Sequence, residues 1–287
     1  MTTKKQLARL FRDVVKHNPD FVQVNPHAIW IRPIRHAIAQ IFIHRSSSAD
    51  VFWPRYSITP LYWGGATWDW DIGSFSEGFR REPRPAPFTR DYFLQPDYQQ
   101  RPEFPKLAAW AATVGDFAWA DPEIGRIFTR AVEEQVLPLL CPMALDHHAY
   151  LDFYRSHIVP SLGLYDQQRM AIALAAGALD EAREYLARIW RWYESDTYGD
   201  YEPPEVLDYP KRGARTQRAI EAWEKAGRCT DYRRRRRRIL EIVEPLRADD
   251  RVAIAAILHR WEAEAARFHD VERWWEPTPF PIEQGLT

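Results

Sequence analysis

Residues 21–63, FVQVNPHAIWIRPIRHAIAQIFIHRSSSADVFWPRYSITPLYW, alternate apolar and polar positions over short stretches and are dense in β-branched and aromatic side chains. The pattern predicts an antiparallel sheet, with strands over 21–24, about 27–32, about 36–45 and about 51–62. Asn25-Pro26, Pro33 to Arg35, and Ser46 to Asp50 supply the turns between them. Pro54 and Pro60 each lack a ladder donor, so the last strand is expected at the sheet edge, or broken.

The flanks read differently. Leu7, Leu10, Phe11, Val14 and Val15 recur at helical spacing behind Thr3 and Gln6, which are spaced as a capping box, and Asn18-Pro19 ends the helix. This helix is expected to cover one sheet face. Residues 64–105 scatter Trp68, Trp70, Phe75, Phe79, Phe88, Tyr92 and Phe93 among Pro, Arg and Asp without a period. So many aromatics argue against disorder, so an ordered irregular layer is expected, with one more strand near 68–75.

Beyond about residue 106 the period becomes 3.6. Ile124, Ile127, Phe128, Ala131, Val132, Val136 and Leu139 form a stripe that Pro138 and Pro142 are expected to terminate. A helix at 144–156 follows, then a helical hairpin over 167–176 and 181–193 with Asp180 as N-cap. After an acidic, Pro-rich loop at 194–210 come helices near 213–226, 231–247 and 250–269, and a tail from Pro277 that is extended against the body or frayed. The expected fold class is α+β: an N-terminal helix on a small antiparallel sheet, an aromatic irregular layer and a C-terminal helical bundle. Residues 1–105 and 106–287 are the expected regions, either separate or as one continuous domain.

Composition adds limits. Apolar residues make up 46% of the 287, and 13 Trp against only 12 Gly mean that aromatic rings must supply much of the buried area. A net charge of −1 leaves no whole-molecule field, so attraction to a polyanion would need a local patch. Cys141 and Cys229 stand far apart without a CxxC or Cys/His cluster, which suggests neither a zinc site nor a disulfide framework. No signal-like or membrane-spanning run is visible, so a soluble cytoplasmic protein with no cofactor and no membrane partner is expected.

The basic first helix from Lys4 to Lys16, the segment Ile41 to Ser47 (IFIHRSS), the strand Tyr56 to Leu61 (YSITPL) and the break at Val136 to Leu140 (VLPLL) resemble the bacterial DUF4304 family. The resemblance covers about residues 3–190. It implies an α+β fold and carries no reaction or site residue.

Three sets of residues are candidates for chemistry. His36 and His44 share a strand face with Gln40, with Trp30 and Arg32 expected opposite and Arg45 and Arg55 nearby. With Trp68 and Trp70 of the aromatic layer, they could hold an acidic ligand or a protein partner; otherwise they form the solvated side of a half-buried sheet. Six consecutive arginines, Arg233, Arg234, Arg235, Arg236, Arg237 and Arg238, would encircle a helix, and residues 211–238 hold twelve basic against three acidic side chains. They demand an anion, either the acidic loop at 194–208 or a nucleic-acid backbone. Asp146, His147, His148, Asp152 and His157 are the densest metal-capable set, with His148 and Asp152 one helical turn apart. They fit a hydrolase site, or caps and buried polar groups. No metal-ligand spacing, nucleophile elbow or Gly-rich phosphate loop accompanies them. The leading expectation is a non-catalytic protein-binding module, immunity- or defence-like by analogy, with nucleic-acid binding and hydrolysis as alternatives.

Overall fold

The structure is a computed structural model and describes residues 3–44, 50–63, 75–79, 81, 97–102, 104–106, 117–157, 164–194 and 231–284. The chain is α+β and divides into two compact units whose segments interleave. One comprises Met1–Pro60, Ser74–Val159 and Asp270–Thr278; the other comprises Leu61–Gly73, Pro160–His269 and Pro279–Thr287. The division does not fall at residue 105. Most of the aromatic stretch at 64–105, the acidic loop from 195 and the helix expected at 213–226 lie outside the described residues.

In the first unit, helix α1 (Lys4–His17) starts as its capping box requires. Thr3 Oγ1 accepts the Gln6 N–H at 3.2 Å, and Gln6 Oε1 accepts the Thr3 N–H at 2.8 Å. Strands β1 (Phe21–Asn25), β2 (Ala28–Ile31), β3 (Ala37–His44) and β4 (Val51–Pro60) form an antiparallel meander, extended by β5 (Phe75–Gly78) and by β6 (Phe117–Ala118). The extra strand thus starts where the expected one near 68–75 would end.

β4 is not an edge strand: β3 lies on one side, and β5 and β6 lie on the other. The prolines are tolerated because of where their missing donors point. Ile43, opposite Pro54, sends its N–H to His27 at 3.0 Å, away from β4, so Pro54 also faces away from β3. There Pro54 lies between the residues that pair with β6 and those that pair with β5, and Pro60 lies beyond the described β5 pairing.

One sheet face carries Ile29, Ile31, Ile41, Ile43, Tyr56 and Ile58, all buried, and α1 packs against β1 and β2 through Leu7, Leu10, Phe11 and Val14. Helix α2 (Ile124–Ala131) adds Phe128, fully buried among Phe11, Phe52, Phe79 and Phe117 at ring separations of 5.6–6.2 Å.

The prolines expected to stop this helix do not. The chain passes through a π turn (Val132–Val136), with the Leu137 N–H bonded to Val132 O, into α3 (Leu137–Leu145). The wider turn just before Pro138 accommodates a residue that an unbroken i→i−4 ladder would reject, and Pro142 sits inside α3. Asp146 then separates α3 from α4 (His147–His157).

In the second unit, α5 (Leu164–Ala175) is buried at every described position, so it forms the unit's centre. Gly177, at φ 77°, turns the chain into α6 (Leu179–Glu194), leaving Asp180 inside the first turn and not at the cap expected for it. Helices α7 (Asp231–Arg247) and α8 (Arg251–Phe268) join through Asp249, and Asp250 caps α8 by accepting the Ala253 N–H at 2.9 Å. The tail takes the packed option. Phe280 and Ile282 are fully buried around a 3₁₀ turn (Pro281–Glu283) that contacts α5 and α8.

Candidate functional site

Gln40 lies at the centre of the second sheet face. It pairs with Trp30 on β2 and with Ser57 on β4, so the three side chains stand in a row across three strands. Trp30 Nε1 donates to Gln40 Oε1 at 3.2 Å, and Gln40 Nε2 donates to Ser57 Oγ at 2.8 Å. Gln40 and Ser57 are buried.

The row continues beyond the sheet. Trp274 meets Trp30 edge-on at 5.4 Å, and the Arg273 guanidinium lies 3.6 Å above the Trp274 ring. Backbone contacts hold that strap in place: Ile34 bridges Trp275, and the Glu276 N–H reaches Ile34 O at 2.8 Å.

The solvated polar face anticipated around His36 and Gln40 is therefore closed at its centre. It stays open at the β3–β4 hairpin end, where Trp53 is 51% exposed and Arg55 is half-buried, in line with Ser57 on β4. His44 pairs with Trp53 in the ladder. Arg32 is exposed, and its guanidinium donates to Pro19 O. Arg45, Trp68 and Trp70 lie outside the described residues.

His36, just before β3, is buried. The Thr278 hydroxyl is 2.8 Å from its Nε2, and the His147 ring stands edge-on at 4.5 Å. Burial, with the neighbouring His36 and His148, holds the His147 pKa well below the usual imidazole range, so His147 is neutral at pH 7. Asp146 caps α4: its Oδ1 accepts the His148 N–H at 2.8 Å. Asp152 is exposed and paired with Arg155 at 2.6 Å, and His148 points to solvent. The His157 side chain lies outside the described set. Among the described residues, no group of three or more His, Cys, Asp or Glu side chains is arranged to hold a metal.

Of the arginine run on α7, Arg238 is internal. It is 5% exposed, donates through Nη1 to Trp63 O at 2.8 Å, sits 5.1 Å above the Trp261 ring, and has Glu264 at 3.5 Å. Among the described residues its counter-charge is Glu264 on α8, and the acidic loop expected to meet the arginines lies outside the described residues beyond Glu194. A cation engaged in this way is not available to a polyanion. Arg233 to Arg237 occupy the preceding turns of α7.

Sequence reasoning missed Ser57, Trp274 and Thr278. A lone serine between Arg55 and Thr59 carries no motif, and nothing local links residues near 275 to a strand near 30.

The architecture defines an α+β protein, and no described helix is long and apolar enough to cross a membrane. No family model, no curated protein and no solved structure matches the chain.

Proposed function

We propose that this chain is a non-catalytic binding protein of the cytoplasm that engages a protein partner through the open end of its β3–β4 hairpin. Trp53 and Arg55 are the anchors. An immunity- or defence-like role and kinship with the DUF4304 family belong to the same proposal. The observation that carries it is Trp53, which leaves half its surface exposed beside Arg55 on a face otherwise closed by the Gln40 row. Trp and Arg are the side chains that most often dominate binding energy.

Among the residues weighed for hydrolysis, Asp146, His147 and Asp152 have structural engagements, which favours the same reading. Asp146 caps a helix, Asp152 pairs with Arg155, and His147 is buried.

Trp53→Ala combined with Arg55→Glu tests the proposal. Circular dichroism checks that the variant is folded, and affinity for a protein captured by the wild type should fall by about 30-fold or more, as for loss of a ~2 kcal/mol anchor. Equal capture by wild type and variant would refute the assignment.

A further inference from the structure

The outward side of α1 carries a charge pattern that neither the protein-binding reading nor the arginine run uses. Lys5, Arg9, Arg12 and Lys16 stand at i, i+4, i+7 and i+11. At 100° per residue they fall within roughly 60° of one line along the helix, spanning about 16 Å in axial steps of about 6, 4.5 and 6 Å. All four are exposed, and none makes an ion pair or hydrogen bond through its side chain to a described residue.

The acid on the helix does not neutralise them. Asp13 turns toward α2, where its Oδ2 lies 3.0 Å from the position a Cβ on Gly125 would take. On α2 itself, Arg126 pairs with Glu123, and Arg130 has Glu134 at 3.9 Å. The stripe is thus a local concentration of uncompensated positive charge on a chain whose net charge is −1.

The packing of α1 narrows the partner. Leu7, Leu10, Phe11 and Val14 are at most 2% exposed, so the helix is fixed by its apolar face and cannot roll that face into a bilayer. What it offers is a rigid, narrow row of cations in water. A phosphodiester backbone is the matching linear array of anions, and arginine forks suit its phosphate oxygens. We propose that the exposed face of α1 docks the sugar–phosphate backbone of a nucleic acid, with Lys5, Arg9, Arg12 and Lys16 contacting phosphates without regard to base sequence. This site is separate from residues 211–238 and from the Trp53 anchor.

Fluorescence anisotropy of the full chain with a labelled duplex of about 20 base pairs tests it. Four phosphate contacts give a slope of log K against log salt of about −3.6, a loss of about 150-fold between about 50 and 200 mM salt. Replacing all four with glutamate should abolish binding. Arg9→Gln with Arg12→Gln, a milder change, should keep the thermal midpoint and bring the slope to about −1.8. No binding at about 50 mM salt overturns the proposal, as does binding unchanged in the glutamate variant, which would move the site elsewhere. Binding to phosphatidylserine vesicles without binding to duplex overturns it too.

Discussion

Gln40→Leu separates a closed structural row from a face built to receive a ligand. Leucine fills nearly the volume of glutamine but removes both the acceptor for Trp30 Nε1 and the donor to Ser57 Oγ. Trp30 is half-buried and can turn its N–H to water, whereas Ser57 is fully buried and cannot. The cost is therefore that of one orphaned buried hydroxyl plus the lost bonds, about 1–3 kcal/mol. Ser57→Ala alone should cost a similar amount, because it strands the Gln40 amide. The double variant removes both ends of the bond and leaves an apolar pair, so its cost should fall below the sum of the singles by about 1 kcal/mol or more. Urea unfolding of the four proteins, followed by tryptophan fluorescence, gives the cycle from the shifts in midpoint at constant slope. Additivity within about 0.3 kcal/mol would refute the reasoning, since it would mean that Gln40 and Ser57 do not hold each other.

Two further predictions concern pH. Glu262, fully buried 3.7 Å from Nδ1 of His259, and Glu283, 2.7 Å from Nε2, raise the His259 pKa above its usual 6.5. A raised folded pKa gives stability that is fully present below about pH 6.5 and lost as pH rises through the raised value. Hydrogen exchange of residues 280–284 should therefore quicken between pH 6 and pH 8.5 beyond the intrinsic rate, and His259→Gln should flatten that extra rise; an equal rise in the variant would sink the clamp. His147 acts in the opposite sense: its pKa is lowered by burial and then by His36 and His148, so below about pH 6.5 the unfolded chain takes a proton that the folded one refuses. The urea midpoint should drop from pH 7 to pH 5, and drop less in His147→Phe; identical drops would refute the assignment.

The repeating apolar pattern was enough to place α1, the four strands of the meander, the α5–α6 hairpin and helices α7 and α8, because each is set by which residues lie one or two turns, or one pleat, apart. The capping box at Thr3 was legible for the same local reason. The side-chain environments of the candidate site were not. Whether Gln40 faces solvent depends on Ser57 and on a strap more than two hundred residues later, and Glu264, which meets Arg238, lies on a different helix. The prolines carry the same lesson. Pro54 sits in an inner strand because its missing donor points between the residues that pair with β6 and those that pair with β5, and Pro138 sits inside a helical run because a π turn widens just before it. By itself the sequence determined where most of the described segments are helical or extended, since periodicity is a property of near neighbours. Only the tertiary structure decided which polar and charged groups are enclosed, because desolvation and pairing depend on atoms brought together from distant parts of the chain.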